Sequence, residues 1–311
     1  MNKKNQQLSI ILVILVIIAV ALNWPESSKR NTSLPVNLFA VEDTAAVSRV
    51  TISRQNRLVE LIKRNGQWLT GNEFPVSVNL ELLLMNILHD VQVNRPVSDA
   101  EQDSVLQALA NRGSQVDVFA GAERVKSFLV SGNPNASETW FMNPGAKNPY
   151  VVVIPGYREY LARLFELNEF QWRSRQLFPM DTLNFSGLQV TYANEPQPMN
   201  IQRPVAAFTL NGQSNATTQT FNRLIANLSQ IPVQQYITEN EFNRLTRGVP
   251  TVMKARVNGE YQRNIRLWDT AAATRGLLAG SMDNPRAWFL IQARYIEQLR
   301  QVKGQLLKSL E

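Results

Sequence analysis

Cysteine is absent from all 311 residues, and histidine occurs once, at His89. The first absence excludes disulfides, thiol catalysis, Cys-based metal sites and a lipid-modified N-terminal cysteine together. The second leaves no His-rich metal site and no partner for a nucleophile–histidine dyad. No G-x-S-x-G or Walker-type run is present, so serine-nucleophile and phosphate-loop mechanisms find no footing in the residues. The net charge is +7, yet no run of five or more Lys and Arg occurs, which removes the usual footprint of a nucleic-acid partner. The charges read as solvated surface, or as a diffuse attraction to anionic lipid or wall polymer.

What is present begins with the apolar run Leu8 to Leu22, LSIILVILVIIAVAL, preceded by Lys3 and Lys4 and followed by Asn23-Trp24-Pro25. A hydrocarbon core needs about 20 apolar helical residues, with about 17 as the lower limit. The run reaches that limit when Asn23 and Trp24 sit among the headgroups. Residues 1–24 therefore read as a transmembrane anchor, with Lys3 and Lys4 placing the N-terminus inside. Lys29 and Arg30 pull the other way. Ala19-Val20-Ala21 offers the competing reading of a cleaved signal peptide. Residues 25–37 are polar, carry Pro25 and Pro35, and read as a tether.

Beyond the tether the pattern turns to β. Val47 to Arg54 alternates, Gln55-Asn56 offers a turn, Leu58 to Arg64 is a second strand, and Asn65-Gly66 is a two-residue hairpin signal before Gln67-Trp68-Leu69. Leu80, Leu83, Leu84, Ile87, Leu88 and Val91 recur at helical spacing. Ser98 with Glu101 forms a capping-box pair ahead of a short helix. A hairpin over Gln115 to Val130, strands at Trp140-Phe141-Met142 and Tyr150 to Ile154, and a helix over Tyr157 to Leu167 complete the unit.

The second half retraces the first. Leu38-Phe39 is matched by Leu177-Phe178, Asp43 by Asp181, Val50 and Ile52 by Leu188 and Val190, and Asn65-Gly66-Gln67 by Asn211-Gly212-Gln213. Leu88, Val91, Val93, Val97, Ser98, Asp99, Glu101 and Val105 align without gaps on Leu228, Ile231, Val233, Ile237, Thr238, Glu239, Glu241 and Leu245. Gly121 corresponds to Gly259, and Tyr160 with Leu164 to Tyr295 with Leu299. A Pro-rich excursion, Pro196 to Pro204, is peculiar to the second copy. The expected architecture is α+β: an N-terminal transmembrane helix, then two tandem copies of a mixed unit, residues 38–167 and 168–311, each an antiparallel sheet with helices on one face.

Several of these motifs together resemble the "domain of unknown function 4340" family. They are the basic start with one apolar anchor, the Val50/Ile52 hairpin ending in Asn-Gly-Gln-Trp, the Leu-rich helix followed by Val-x-Val, and Trp172-Arg173-Ser174-Arg175-Gln176-Leu177-Phe178. The first copy departs from the family pattern in having fewer Gly residues and no Gly-Leu-x-x-Pro signature after the capped helix. The resemblance implies a membrane-anchored, repeat-containing bacterial protein and, as partner, an assembly such as an ABC-type transporter complex. It carries over no catalytic residues.

Two sets of residues invite chemistry. Asp99 with Glu101, and their mates Glu239 with Glu241, are paired carboxylates able in principle to do acid and base work on a glycan. Their position behind Ser98 and Thr238 reads instead as helix capping. Trp68, Trp140, Phe141, Trp172, Trp268 and Trp288 could stack on carbohydrate, but they fall in runs that read as core. Asn135-Ala136-Ser137 matters only in a glycosylating host. No catalytic, cofactor-binding or metal-ligating residue is assigned, and no cofactor is expected. The expected function is that of a non-enzymatic, membrane-tethered binding or scaffold module of the bacterial envelope. Its expected place is the cytoplasmic (inner) membrane, single-pass, with the C-terminal body on the extracytoplasmic, periplasmic side. A glycan-binding protein or hydrolase using the paired carboxylates is the alternative.

Overall fold

The computed structural model describes residues 34–308, apart from 158, 179–184, 194, 196, 204–208, 213–217, 258–259, 271–275 and 284. The first unit opens with a meander of β1 (Arg49–Arg54), β2 (Arg57–Arg64) and β3 (Gln67–Thr70). Alternation sends Val50 and Ile52 inward, and they face Leu61 and Val59 across the β1–β2 pair. The turn before β3 places Asn65 at φ 50 and Gly66 at φ 79. Positive φ at both central residues is what a tight hairpin turn demands and what Asn-Gly supplies.

After the meander come α1 (Val78–Asp90), β4 (Gln92–Pro96) and α2 (Asp99–Arg112). Then follow β5 (Ser114–Ala120), β6 (Glu123–Gly132), β7 (Thr139–Met142) and β8 (Tyr150–Val153), with two short helices, α3 (Ala162–Glu166) and α4 (Glu169–Trp172). Strand β5 forms the expected hairpin with β6 and has a second partner on its other edge. It pairs with β1, setting Val118 opposite Val50 and Val116 opposite Ile52. That pairing fuses meander and hairpins into one antiparallel sheet of eight strands, ordered β3-β2-β1-β5-β6-β7-β8-β4.

The second unit is built from β9 (Phe185–Thr191), β10 (Met199–Gln202), β11 (Thr209–Leu210), α5 (Thr218–Ser229), β12 (Gln235–Ile237) and α6 (Glu239–Leu245). It continues through β13 (Thr246–Val257), β14 (Glu260–Thr270), β15 (Leu277–Asp283), β16 (Arg286–Gln292) and α7 (Arg294–Lys308). Its strand order, β11-β10-β9-β13-β14-β15-β16-β12, is the first unit's order over again. The chain entering each sheet is tied down alike: Val93 N–H donates to Val36 O at 2.8 Å, and Val233 N–H to Arg175 O at 2.6 Å.

Each sheet buries both faces. In the first unit one face packs Val50, Leu61, Val118 and Phe141 against Leu84, Ile87 and Leu88 of α1. The opposite face packs Trp140, Met142 and Val151 against Val105 and Leu109 of α2. Adjacent residues Trp140, Phe141 and Met142 thus serve opposite clusters, as a two-residue period requires. Phe141 stacks on Phe128 at 4.4 Å between ring centres. The second unit repeats the scheme, with Leu224 and Leu228 of α5 on the larger core and Phe242 of α6 against Trp268 and Leu290 on the other face.

These observations correct the α+β class. Sixteen strands outweigh seven helices among the described residues, the structure is mostly β, and helices cover both faces of each sheet rather than one. The reason is that β1–β5 pairing spans more than sixty residues and leaves no local mark in the sequence. The expected membrane assignments do not stand either. No helix among the described residues is long and apolar enough to cross a membrane, so the transmembrane, signal-anchor and periplasmic descriptions and the single-pass inner-membrane localisation are corrected. The run Leu8 to Leu22 itself lies outside the described residues.

Three finer expectations change as well. Asn211-Gly212 is not the counterpart of Asn65-Gly66. Leu210 opposes Ile201 as Thr70 opposes Leu61, so Asn211 follows β11 and occupies the place of Gly71. The backbone agrees, since Gly71 N–H donates to Glu60 O and Asn211 N–H to Asn200 O, both at 2.8 Å. The stretch Pro196 to Pro204 is no added excursion, because β10, the equivalent of β2, lies within it. The helix expected over Tyr157 to Leu167 is confined to α3, because Gly156 turns at φ 80 and Tyr157 pairs back on Ile154.

Candidate functional site at the junction of the two units

The segment that joins the units is built to be rigid. Asn168 and Gln171 cap α4 reciprocally: Gln171 N–H donates to Asn168 Oδ1 at 3.0 Å and Asn168 N–H to Gln171 Oε1 at 2.9 Å. From there the chain from Arg173 to Gln176 leaves the helix, bridges to Val76 and to Pro232, and so bonds to both units. Ser77 N–H donates to Trp172 O at 2.9 Å and Ser174 N–H to Pro75 O at 2.6 Å on the first side. On the second, Leu177 N–H donates to Ile231 O at 3.0 Å. Phe74, which belongs to the first unit by sequence, is buried in the core of the second.

At the centre lies Arg173, only 6% exposed. Its guanidinium donates to Glu169 Oε1 through Nη2 at 2.8 Å and Nε at 3.3 Å. It also lies over three aromatic rings, 3.6 Å from the centre of Phe74, 4.5 Å from Phe170 and 5.2 Å from Tyr236. Glu169 is held in turn by Thr70 Oγ1 at 3.1 Å and Asn72 Nδ2 at 2.6 Å. Tyr236 comes from the second unit, and its hydroxyl donates to Ser174 O at 2.8 Å. Burial pushes the Tyr236 hydroxyl pKa up, while Arg263, Arg173 and Arg175 oppose that shift. Burial also lowers Arg263 from its ordinary value. A buried cation with its carboxylate and aromatic faces locks the two units together here.

Beside this clamp opens a groove of about 760 Å³, walled by both units: Ser77 and Asn79 from the first, Ser229 and Gln230 from the second, and Arg175 and Gln176 from the joining segment. Two arginines line it and no Asp or Glu does. Arg175 is exposed. The groove has the volume of a ligand or peptide site and a positive character.

The residues singled out from the sequence lie elsewhere. Glu241 accepts from Thr238 N–H and Thr238 Oγ1, both at 2.8 Å, and Glu241 N–H donates back to Thr238 Oγ1 at 3.3 Å. This is a complete capping box, and the Thr238 backbone N–H, then its hydroxyl, hold the Glu241 carboxyl below its usual range. Glu239 pairs with Arg286 at 2.9 Å. In the first copy Ser98 Oγ donates to Glu101 Oε2 at 2.7 Å, but no side chain caps the helix backbone. Asp99 and Glu101 therefore sit on one helix start and Glu239 and Glu241 on another, in different units.

His89 is exposed, 2.6 Å from Asp90, on a surface hollow with Glu42 and Asp43. No group of His, Asp and Glu able to hold a metal ion occurs among the described residues. Trp68, Trp140, Phe141 and Trp172 are buried, and Trp268 and Trp288 pack half-buried around Phe242. The junction itself was missed by sequence reasoning. Its one outward sign is the pair of arginines in Trp172-Arg173-Ser174-Arg175, charges placed where a passive linker needs none.

The fold and site define a protein of two like eight-stranded sheets clamped around a basic groove. Comparison with protein-family models, with curated proteins and with solved structures finds no match. The likeness to the domain of unknown function 4340 family rests on the quoted motifs alone.

Proposed function

We propose that this chain is a binding or scaffold module, not an enzyme, and that it holds a partner protein at the junction of its two units. The observation that carries the reading is the groove between the units, lined by Arg173 and Arg175 with no carboxylate. A junction stitched to both sheets presents such a groove in one geometry, so little ordering cost is left for the partner to bear. The carboxylate pairs considered for hydrolysis are engaged at two separate helix starts, which gives the hydrolase alternative no shared site to work from. An ABC-type transporter complex, implied by the family resemblance, is the first partner to look for.

Co-purification of the tagged full chain under gentle conditions tests this. A stoichiometric partner is expected, and Arg175→Glu is expected to reduce its recovery at least tenfold. Recovery of the chain alone overturns the proposal.

A further inference from the structure

Three sets of donors meet in the groove beside the clamp. Arg175, exposed on the joining segment, pairs with no carboxylate among the described residues. Arg173 spends Nε and Nη2 on a single oxygen of Glu169. Its Nη1 makes no hydrogen bond among the described residues, and the little of Arg173 that is exposed lines the groove. The third set is the start of α1, where Ser77 to Leu80 form part of the wall. Ser77 makes no side-chain cap bond, and the N–H groups of Val78, Asn79 and Leu80 find no acceptor among the described residues. A helix start of this kind presents bare N–H groups and the positive end of its dipole. Glu81, the acidic residue of that first turn, lies outside the lining.

The duplication shows that the fold does not require the charge of Arg175. At the spacing that matches Leu38 with Leu177, Arg173 and Arg175 correspond to Leu34 and Val36. Both segments enter their sheets by the same backbone tie, Val93 N–H to Val36 O and Val233 N–H to Arg175 O. Leu34 and Val36 are exposed apolar residues, so the tie works without a cation. An unpaired guanidinium at Arg175, beside that of Arg173, adds repulsion between like charges. An anion brought by a ligand removes it.

Resting on the binding reading above, we infer that the groove holds its ligand by a phosphate group, seated between Arg175 and the start of α1. Each part of the lining suits that anion. A guanidinium offers a planar fork of donors to phosphate oxygens, and a helix start receives phosphate on its free N–H groups. The donors lie on two elements, the joining segment and α1. A phosphate carries three terminal oxygens on a tetrahedral centre and can answer both, whereas a carboxylate has two oxygens in one plane. Size adds a second condition. The groove of about 760 Å³ is far larger than one phosphate ion, so the phosphate belongs to a ligand with an organic body. Phosphate esters and free phosphate share the chemistry, and size favours the ester.

The test is the melting temperature of the full chain titrated with inorganic phosphate, glycerol phosphate or acetate, with chloride holding the ionic strength constant. Both phosphates are expected to stabilise the chain saturably, glycerol phosphate at least threefold more tightly; the reverse order keeps the site and assigns it to free phosphate. Arg175→Met, at an exposed position that the first unit fills with valine, is expected to weaken both at least tenfold. Val78→Pro deletes one N–H at the first helical position, where proline fits, and the extended Ser77 before it, at ψ 123, suits a following proline. That variant is expected to keep the unliganded melting temperature and to weaken phosphate severalfold. No saturable shift, an equal shift with acetate, or full affinity in either variant overturns the inference. The binding reading fails separately. Phosphate binding without a co-purified partner keeps this site and removes the partner, whereas a partner lost in Arg175→Glu, from a chain that no phosphate stabilises, keeps the partner and removes this site.

Discussion

Replacing Arg173 by Met removes a charge from the centre of the molecule while leaving an apolar stem of similar length. Three effects decide the cost. Glu169, whose side chain is 24% exposed, loses the partner that neutralises it, and breaking a buried pair from one side typically costs about 3–5 kcal/mol. Thr70 and Asn72 still donate to that carboxylate, which brings the figure toward the lower end. The faces of Phe74, Phe170 and Tyr236 lose a cation worth about 1 kcal/mol, partly repaid by the Met stem. The sum is about 3 kcal/mol, which at about 2–3 °C per kcal/mol for a chain of this size lowers the melting temperature by about 6–9 °C. Urea denaturation should also show one transition becoming two, since Arg173 and Phe74 bind the halves together. The control is Arg173→Met with Glu169→Gln, which removes the stranded charge and should recover about half of the loss. A double variant as unstable as the single one, or a single variant within about 0.5 kcal/mol of the parent, refutes the view that the ion pair clamps the junction.

Thr238→Ala should destabilise the second unit by about 1 kcal/mol, because it deletes a side-chain cap, whereas Ser98→Ala should cost less, its hydroxyl serving only the Glu101 carboxylate; urea titration of both variants distinguishes them. The Glu241 carboxyl should titrate below the usual glutamate range by NMR and return to it in Thr238→Ala. With the folded-state pKa depressed, its contribution to stability is present above the unfolded value and fades as pH falls through the folded one. Tyr192 is pushed up to about 12 by burial, so ultraviolet titration should show a late phenol that Tyr192→Phe deletes. Stability tied to it holds below pH 10 and declines as pH rises toward 12. Gly280→Ala sets a new Cβ into the Phe289 ring; overpacking of that kind should cost about 2–3 kcal/mol, read as a lower urea midpoint.

Local features of this protein were written in its sequence because local forces decide them. The alternation of Val50 and Ile52, the positive φ at Asn65 and Gly66, the apolar stripe of α1 and the cap at Thr238 each depend on residues within a few positions of one another. The matches at Leu88 and Leu228, or Val93 and Val233, could be read for the same reason. What no local pattern carries is which strand lies beside which. Asn211-Gly212 has the right chemistry for a tight turn, but only the pairing of Ile201 with Leu210 reveals that it follows β11. The joining of β1 to β5, which turned an expected α+β unit into an eight-stranded sheet, is a contact between residues more than sixty positions apart. Arg173 is the sharpest case. Its sequence neighbours describe a polar linker, and it becomes a buried cation because Phe74, nearly a hundred residues earlier, and Tyr236, more than sixty later, close over it. Burial is a property of the assembled surfaces, so the clamp and the groove beside it exist only once both sheets have formed.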